Sequence, residues 1–340
     1  MKNKVIVIAE AGVNHNGDIN LAKKLVDIAF DAGADFVKFQ SFKADKLASR
    51  DSKKAVYQKN NYDSSDDNQY KMLKSLELSE NDHVELINYC KKKNIKFLSS
   101  PFDVDSVEYL NNLNIELFKI PSGEITNYQF LKKIASYSKP VILSTGMSNI
   151  EEIGNALEIL TSDKLNISDI TVLHCNTEYP TPYSDSNITA MLHIGNNFNV
   201  SYGLSDHSLG IEVPIAAVAL GAKVIEKHFT IDKNMIGPDH KASLNKNELS
   251  EMIKSIKNVE LALGNGLKKV SISEKKNIPV ARKSIHLNCD VKQGEIITVE
   301  NLIALRPGDG ICPMEIPNIL NKKFVKNLKK HRKLSNEDFE

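Results

Sequence analysis

Two histidines stand at the ends of two successive apolar runs, His207 in YGLSDHSLG and His228 in VIEKHFT. If the runs are neighbouring strands of one sheet, both imidazoles can reach a single ion. Two neutral imidazoles with otherwise oxygen ligands suit a divalent cation such as Mn²⁺, with Mg²⁺ or Co²⁺ as alternatives, and leave positions open for substrate. Catalytic zinc usually takes three protein ligands, and no HExxH motif is present. The competing reading makes each histidine a satisfied rim residue of the core, and the spacing is compatible with both.

Lys38 in DFVKFQ and Lys119 in LFKIPSG lie inside apolar runs, where an ammonium group needs an anionic partner. With the hydroxyls of Ser100, Ser122 and Ser144 they compose a cradle for phosphate or carboxylate. Either lysine can instead close an internal ion pair with Glu10 or Glu124. A third possibility is Schiff-base chemistry on a lysine whose pKa burial has lowered.

Such residues need a scaffold that brings eight strand ends together. Apolar β-branched runs alternate with amphipathic stretches up to Gly264, which predicts a parallel sheet covered by helices. In INLAKKLVDIAFDAGA, for example, Leu21, Leu25, Ile28 and Ala29 share one face, between an Asp18 N-cap and a Gly33 C-cap. Asp103 reads as another N-cap, Gly264 as another C-cap, and Ser148/Glu151 and Asn245/Glu248 as capping boxes. Eight such units in this length match a (β/α)8 barrel, whose active sites lie at the C-terminal strand ends. A doubly wound sheet would normally carry a glycine-rich phosphate turn, and no GxGxxG or Walker A sequence follows any run. Every run ends polar: Glu10, Lys38 with Gln40, Ser99 with Ser100, Lys119 with Ser122 and Glu124, Ser144, His174 with Asn176, Ser205 with His207, Glu226 with His228. Asp206 faces the other way by the strand's period of two and reads as a structural partner.

The 340 residues carry a formal net charge of +1, which gives no reason to expect nucleic acid or a membrane surface as partner. No apolar run is long enough to span a membrane, and the N-terminal run reads as a buried strand rather than a signal peptide. Cys90, Cys175, Cys289 and Cys312 show no paired spacing, so reduced thiols in the cytoplasm are expected. The predicted organisation is a barrel over 1–264, a lysine-rich connector over 265–282 and a small β-rich domain over 283–340. The polar stretch from Asp45 to Asn68 reads as an irregular insertion after the second strand, of the kind that is either disordered or a substrate lid.

The ordered motifs IAEAGVNHNGD, VKFQSFKADKL, SSPFD, FKIPSGEITN, LSTGM, LHCNTEYPTP, GLSDHSLG, IEKHFT and GPDHKAS resemble the sialic acid synthases over nearly the whole chain. The stretch ARKSI…VKQGE…LRPGDGI resembles their C-terminal antifreeze-like (SAF) domain. The resemblance implies condensation of phosphoenolpyruvate with an open-chain N-acetylated hexosamine, giving a nine-carbon 2-keto sugar acid and phosphate. N-acetylmannosamine, yielding N-acetylneuraminate, is the first expectation; the 6-deoxy-2,4-diacetamido sugar of legionaminate synthases is the alternative. It further implies a divalent metal on His207 and His228, and phosphoenolpyruvate held by Lys38, Lys119, Ser100, Ser122, Ser144, Ser205 and the Asn176 amide. Gln40, Glu124, Tyr179 and Asp239 would contact the sugar, and Glu10 would position or deprotonate the attacking water. Arg306 would reach a neighbouring chain's site in a domain-swapped homodimer. Two rival readings remain: a Schiff-base aldolase, and a non-catalytic binding module centred on the SAF-like domain.

Overall fold

A run of residues apolar on both faces must be covered on both sides, by helices on each face or by helices outside and a closed interior within. The computed structural model, which describes residues 4–62 and 65–340, shows the second solution. Its strands are β1 (Ile6–Gly12), β2 (Phe36–Ser41), β3 (Lys96–Pro101), β4 (Phe118–Ile120), β5 (Val141–Ser144), β6 (Ile170–Cys175), β7 (Ser201–Asp206) and β8 (Val224–His228). All pairings are parallel, in the order β3-β2-β1-β8-β7-β6-β5-β4. β3 and β4 lie side by side, but among the described residues no hydrogen-bonded register joins them. The (β/α)8 expectation holds, with one seam.

Inside the ring, period two does the positioning. Ile8, Phe36, Leu98, Ile142, Leu173 and Val224 pack together as an apolar plug. Each such side chain contributes about 1.5–3 kcal/mol on burial. Two residues further along each strand stand Glu10, Lys38, Ser100, Ser144, Cys175 and Glu226, all lining one cavity. Strand β7 contributes no side chain to the plug: a Cβ on Gly203 would lie 2.2 Å from the Val224 carbonyl oxygen and 2.8 Å from a Leu173 methyl. Only glycine fits there.

The helices follow their sequence signals with small shifts. Helix Ile19–Ala32 starts at Asp18, which accepts from the Asn20 N–H, and stops at Gly33 with φ 81°. Its buried stripe is Ala22, Leu25, Val26 and Ala29, with Leu21 and Ile28 only half-buried at its edge. Asp103 caps its helix, and Asn245 forms a capping box with Glu248. The box expected at Ser148/Glu151 sits one residue later, at Asn149/Glu152, following a left-handed Met147 (φ 63°). The insertion is less irregular than expected. It contains helices Ala44–Leu47 and Val56–Asn61, and it is tied to the loop after β8 by Asn61 Nδ2 donating to the Pro238 carbonyl (3.0 Å). No helix of the described residues is long and apolar enough to cross a membrane.

The described residues divide into two compact units between Gly264 and Asn265. In the second, β9 (Ser284–Leu287) pairs antiparallel with β10 (Leu302–Leu305) over a core that includes Ile285, Leu287, Ile297, Phe324 and Leu334. Asp338 is buried there. It accepts from the Ser335 N–H (2.9 Å) and hydroxyl (2.8 Å), and it pairs with Lys326 (2.9 Å) and Arg332 (3.3 Å). Burial alone would raise its pKa, but the Lys326, Ser335 and Arg332 contacts outweigh that and hold it down at about 2. A depressed carboxylate stabilises the fold above its unfolded pKa, and that stability is lost as pH falls through the folded value. In the full chain, amide-exchange protection over 283–340 should therefore drop by about 2 kcal/mol between pH 4 and pH 2. Asp338→Asn should remove most of that pH dependence and lower protection at neutral pH; an unchanged pH profile would contradict the assignment.

Candidate active site

The strand ends converge on one cavity of about 590 Å³. Of the site residues that the family resemblance implies, all but Asn176 and Arg306 line it; of the other polar strand ends, Ser99 and His174 do not. Its floor is charged. Lys38 Nζ lies 2.5 Å from Glu10 Oε2 and 3.6 Å from Glu226 Oε2, and donates to Ser100 Oγ (2.9 Å). Lys119 Nζ lies 3.5 Å from Glu226 Oε1 and donates to Ser144 Oγ (2.7 Å). Ser205 Oγ donates to Glu226 Oε1 (2.8 Å). All four charged groups are buried, so each depends on its neighbours for compensation. The internal ion pair and the anion cradle, alternatives in the sequence, are thus built from the same lysines.

Desolvation pushes Glu10 up to about 7 against the pull of Lys38. Burial would raise Glu226 too, but Lys119, Lys38 and the Ser205 hydroxyl hold it below the usual carboxylate range. Burial lowers Lys119, which has a weaker share of the carboxylates, whereas Glu10 and Glu226 outweigh burial at Lys38 and raise it. Both oxygens of Glu10 and Oε2 of Glu226 are buried and accept no hydrogen bond; the Lys38 ammonium is their ionic neighbour, and both residues line the cavity. Glu226, which the sequence already marks as a polar strand end two residues before His228, is given no role by the family resemblance, yet it is central to this floor.

Above this floor, the rings of His207 and His228 lie 5.4 Å apart between centroids. His207 Nδ1 hydrogen-bonds to the Asn176 carbonyl, which orients the ring. His228 Nδ1 is buried and unpartnered, 4.0 Å from Asp239 Oδ2. Burial lowers His207 to about 4 and takes His228 well below the ordinary value, helped there by His207 and Lys38, so both imidazoles are neutral at physiological pH. A neutral imidazole whose buried Nδ1 has no partner, beside a second neutral ring on the same cavity, fits a divalent cation. Among the described residues no set of three or more His, Cys, Asp or Glu side chains forms a ready ligand shell, so further ligands would be substrate or water oxygens.

The remaining residues occupy the wall. Tyr179 stacks on His207 (4.0 Å) and meets His228 edge-on (5.6 Å). Ser122 Oγ accepts from the Gly146 N–H (2.9 Å), and Glu124 accepts from Asn127 Nδ2 (2.7 Å). Gln40 and Asp239 also face the cavity. Asn176 does not offer its amide as expected: Oδ1 accepts from the Glu178 N–H (2.8 Å) and Thr181 Oγ1 (3.3 Å), folding the side chain into its own turn, and Thr177 lines the cavity instead. Arg306 belongs to the second unit, where it is exposed and its Nε donates to the Ala281 carbonyl (3.0 Å). Sequence reasoning missed the outer wall, where Leu47, Tyr57, Met72, Leu73 and Leu76 from the insertion region join Phe102. Tyr57 stacks on Tyr179 at 4.9 Å. No periodicity announces such residues.

The strand ends of the barrel gather two buried lysines, two buried glutamates and two neutral imidazoles in one cavity, and comparison with known proteins gives the family. Residues 25–268 match the NeuB family and residues 282–340 the SAF domain. The chain is 53% identical to the N,N'-diacetyllegionaminic acid synthase of Campylobacter jejuni, covering 96% of this chain and 97% of that protein. It is 48% identical to the protein of the same name from Legionella pneumophila, covering 95% and 91%. The solved N-acetylneuraminic acid (sialic acid) synthetase of Leptospira borgpetersenii is similar with a TM-score of 0.70 at 33% identity, covering 81% of this chain and 90% of that one. The chain belongs to the NeuB family.

Removing one member of the buried pair tests the floor. Lys38→Met leaves Glu10 short of its nearest cation and should cost about 3–5 kcal/mol in denaturant unfolding. Lys38→Met combined with Glu10→Gln should regain much of that stability while remaining inactive. Equal destabilisation of the single and double variants would show that the two groups are not coupled.

Proposed function

We propose that this chain is an N,N'-diacetyllegionaminic acid synthase, joining phosphoenolpyruvate to 2,4-diacetamido-2,4,6-trideoxymannose with release of phosphate. The likeness to two synthases of that name, at 53% and 48% identity over nearly the whole chain, carries the choice. The sialic acid synthetase shares 33%, so N-acetylmannosamine gives way to the diacetamido sugar as the expected acceptor. The cavity wall supports this choice physically. A 6-deoxy sugar with two acetamido groups presents three methyl groups, which can be buried against Leu47, Tyr57, Met72, Leu73 and Phe102.

In this reading Lys38 and Lys119, with Ser100, Ser144 and Ser122, hold the phosphate and carboxylate of phosphoenolpyruvate over the floor of the barrel. Ser205 keeps Glu226 aligned between the two ammonium groups, so both lysines stay extended when the anion arrives. Phosphoenolpyruvate C3 forms the new bond to the aldehyde carbon, and the aldehyde oxygen takes up a proton. Water adds at C2, and the tetrahedral carbon then expels phosphate by C–O cleavage. Glu10 holds that water and accepts its proton; a carboxyl with a pKa of about 7 is suited to both tasks near neutrality. Gln40, Glu124, Tyr179 and Asp239 orient the open-chain sugar. A divalent cation on His207 and His228, Mn²⁺ first and Mg²⁺ or Co²⁺ as alternatives, supplies Lewis acidity toward the sugar's carbonyl oxygen when bound. The exposed guanidinium of Arg306 is proposed to serve a partner chain's sugar site in a homodimer.

With Mn²⁺ and phosphoenolpyruvate, kcat/KM for the diacetamido sugar should exceed that for N-acetylmannosamine by at least about tenfold, the scale of one well-buried methyl group. A preference for N-acetylmannosamine would restore the sialic acid reading. Borohydride added during turnover should leave Lys38 and Lys119 unmodified; a trapped adduct on either would move the reaction to Schiff-base chemistry.

A further inference from the structure

Two buried charged residues that the reaction does not use lie on the outer face of β7 and β8, beside the histidines. The register pairs Ser205 with Glu226 and Asp206 with Lys227. The first rung faces the cavity, where the Ser205 hydroxyl meets Glu226; the second faces away. His207 and His228 follow as the next residues on each strand. Lys227 Nζ donates to Asp206 Oδ2 and to the Ser208 carbonyl (2.6 Å). Asp206 in turn accepts from the Ser208 N–H at Oδ1 and the Ser208 hydroxyl at Oδ2, both at 3.0 Å. Lys227 is 1% exposed, Asp206 4% and Ser208 0%.

We propose that Asp206, Lys227 and Ser208 form a positioning clamp that sets the separation of His207 and His228 for a divalent cation; this rests on the metal reading of those histidines. The clamp holds the residues on both sides of His207 and ties them to the residue before His228. Neither backbone can move away from the other without unpairing a charge in a site that water does not reach. A buried ion pair is a poor device for stability alone, since well-packed apolar residues do as well or better. Its use here is geometric. A cation with only two protein nitrogens needs them fixed before it arrives, because no third protein ligand corrects their spacing. The Asn176 carbonyl fixes the His207 ring orientation, and the clamp fixes the backbone that carries it.

The test uses the full chain and Mn²⁺ alone as probe, with free Mn²⁺ read by electron paramagnetic resonance and thermal unfolding followed without metal. Wild type should bind Mn²⁺, and His207→Ala should lose that binding. The combined variant Asp206→Leu/Lys227→Met should keep a melting temperature near wild type yet bind Mn²⁺ about ten- to a hundredfold more weakly. Ser208→Ala, which deletes one bond of the clamp, should weaken binding in the same direction by a smaller factor. A folded double variant with wild-type Mn²⁺ affinity overturns the clamp while leaving the metal reading intact. If the double variant does not fold, Ser208→Ala decides, and unchanged affinity there overturns the clamp. Equal Mn²⁺ binding by wild type and His207→Ala would remove the metal reading, and the clamp's purpose with it.

Discussion

The site depends on one constraint: inside a closed ring of parallel strands, a residue two places beyond an apolar plug has nowhere to face but the cavity. Ile8 and Glu10, Phe36 and Lys38, Leu98 and Ser100, Ile142 and Ser144, Val224 and Glu226 are the same step repeated around the barrel. The plug denies water from below, so the charges above it are strongly coupled. Two lysines and two glutamates balance formally, yet they are not equivalent. Glu226 touches both lysines and a hydroxyl, whereas Glu10 depends chiefly on Lys38. That asymmetry holds Glu226 below the usual carboxylate range and leaves Glu10 raised to about 7, as the proposed role of Glu10 requires.

The upper layer continues the logic with neutral groups. Burial and the neighbouring positive charges keep His207 and His228 unprotonated, and the aromatic pair Tyr57–Tyr179 covers them. The cavity therefore runs from a charged floor, through imidazole nitrogens, to an apolar rim. In the proposed reaction an anionic substrate would meet the charged floor, and an acylated deoxy sugar would meet the imidazole layer with its carbonyl and the rim with its methyl groups.

Much of this was legible in the sequence because period two and the order of the motifs carry information about facing. The strands, Lys38, Lys119, the serines and both histidines follow from it. Asn176 does not, because β6 ends at Cys175 and the chain turns before the alternation can continue. The insertion residues were opaque for the opposite reason. Leu47, Tyr57 and Met72 lie on short helices whose orientation is set by contacts with distant loops, such as Asn61 with Pro238. The one-residue shift of the Asn149 cap, which follows a left-handed Met147, was likewise not visible in the residue pattern.

The seam between β3 and β4 gives the cradle a second meaning. Lys38 and Ser100 stand on strands to one side of it, Lys119 and Ser144 on strands to the other. Among the described residues the barrel is thus a split ring, and an anion held by both sets of residues would act as its clasp. Bound substrate would supply the rung that the backbone omits, so loading the enzyme and stiffening its scaffold would be one event.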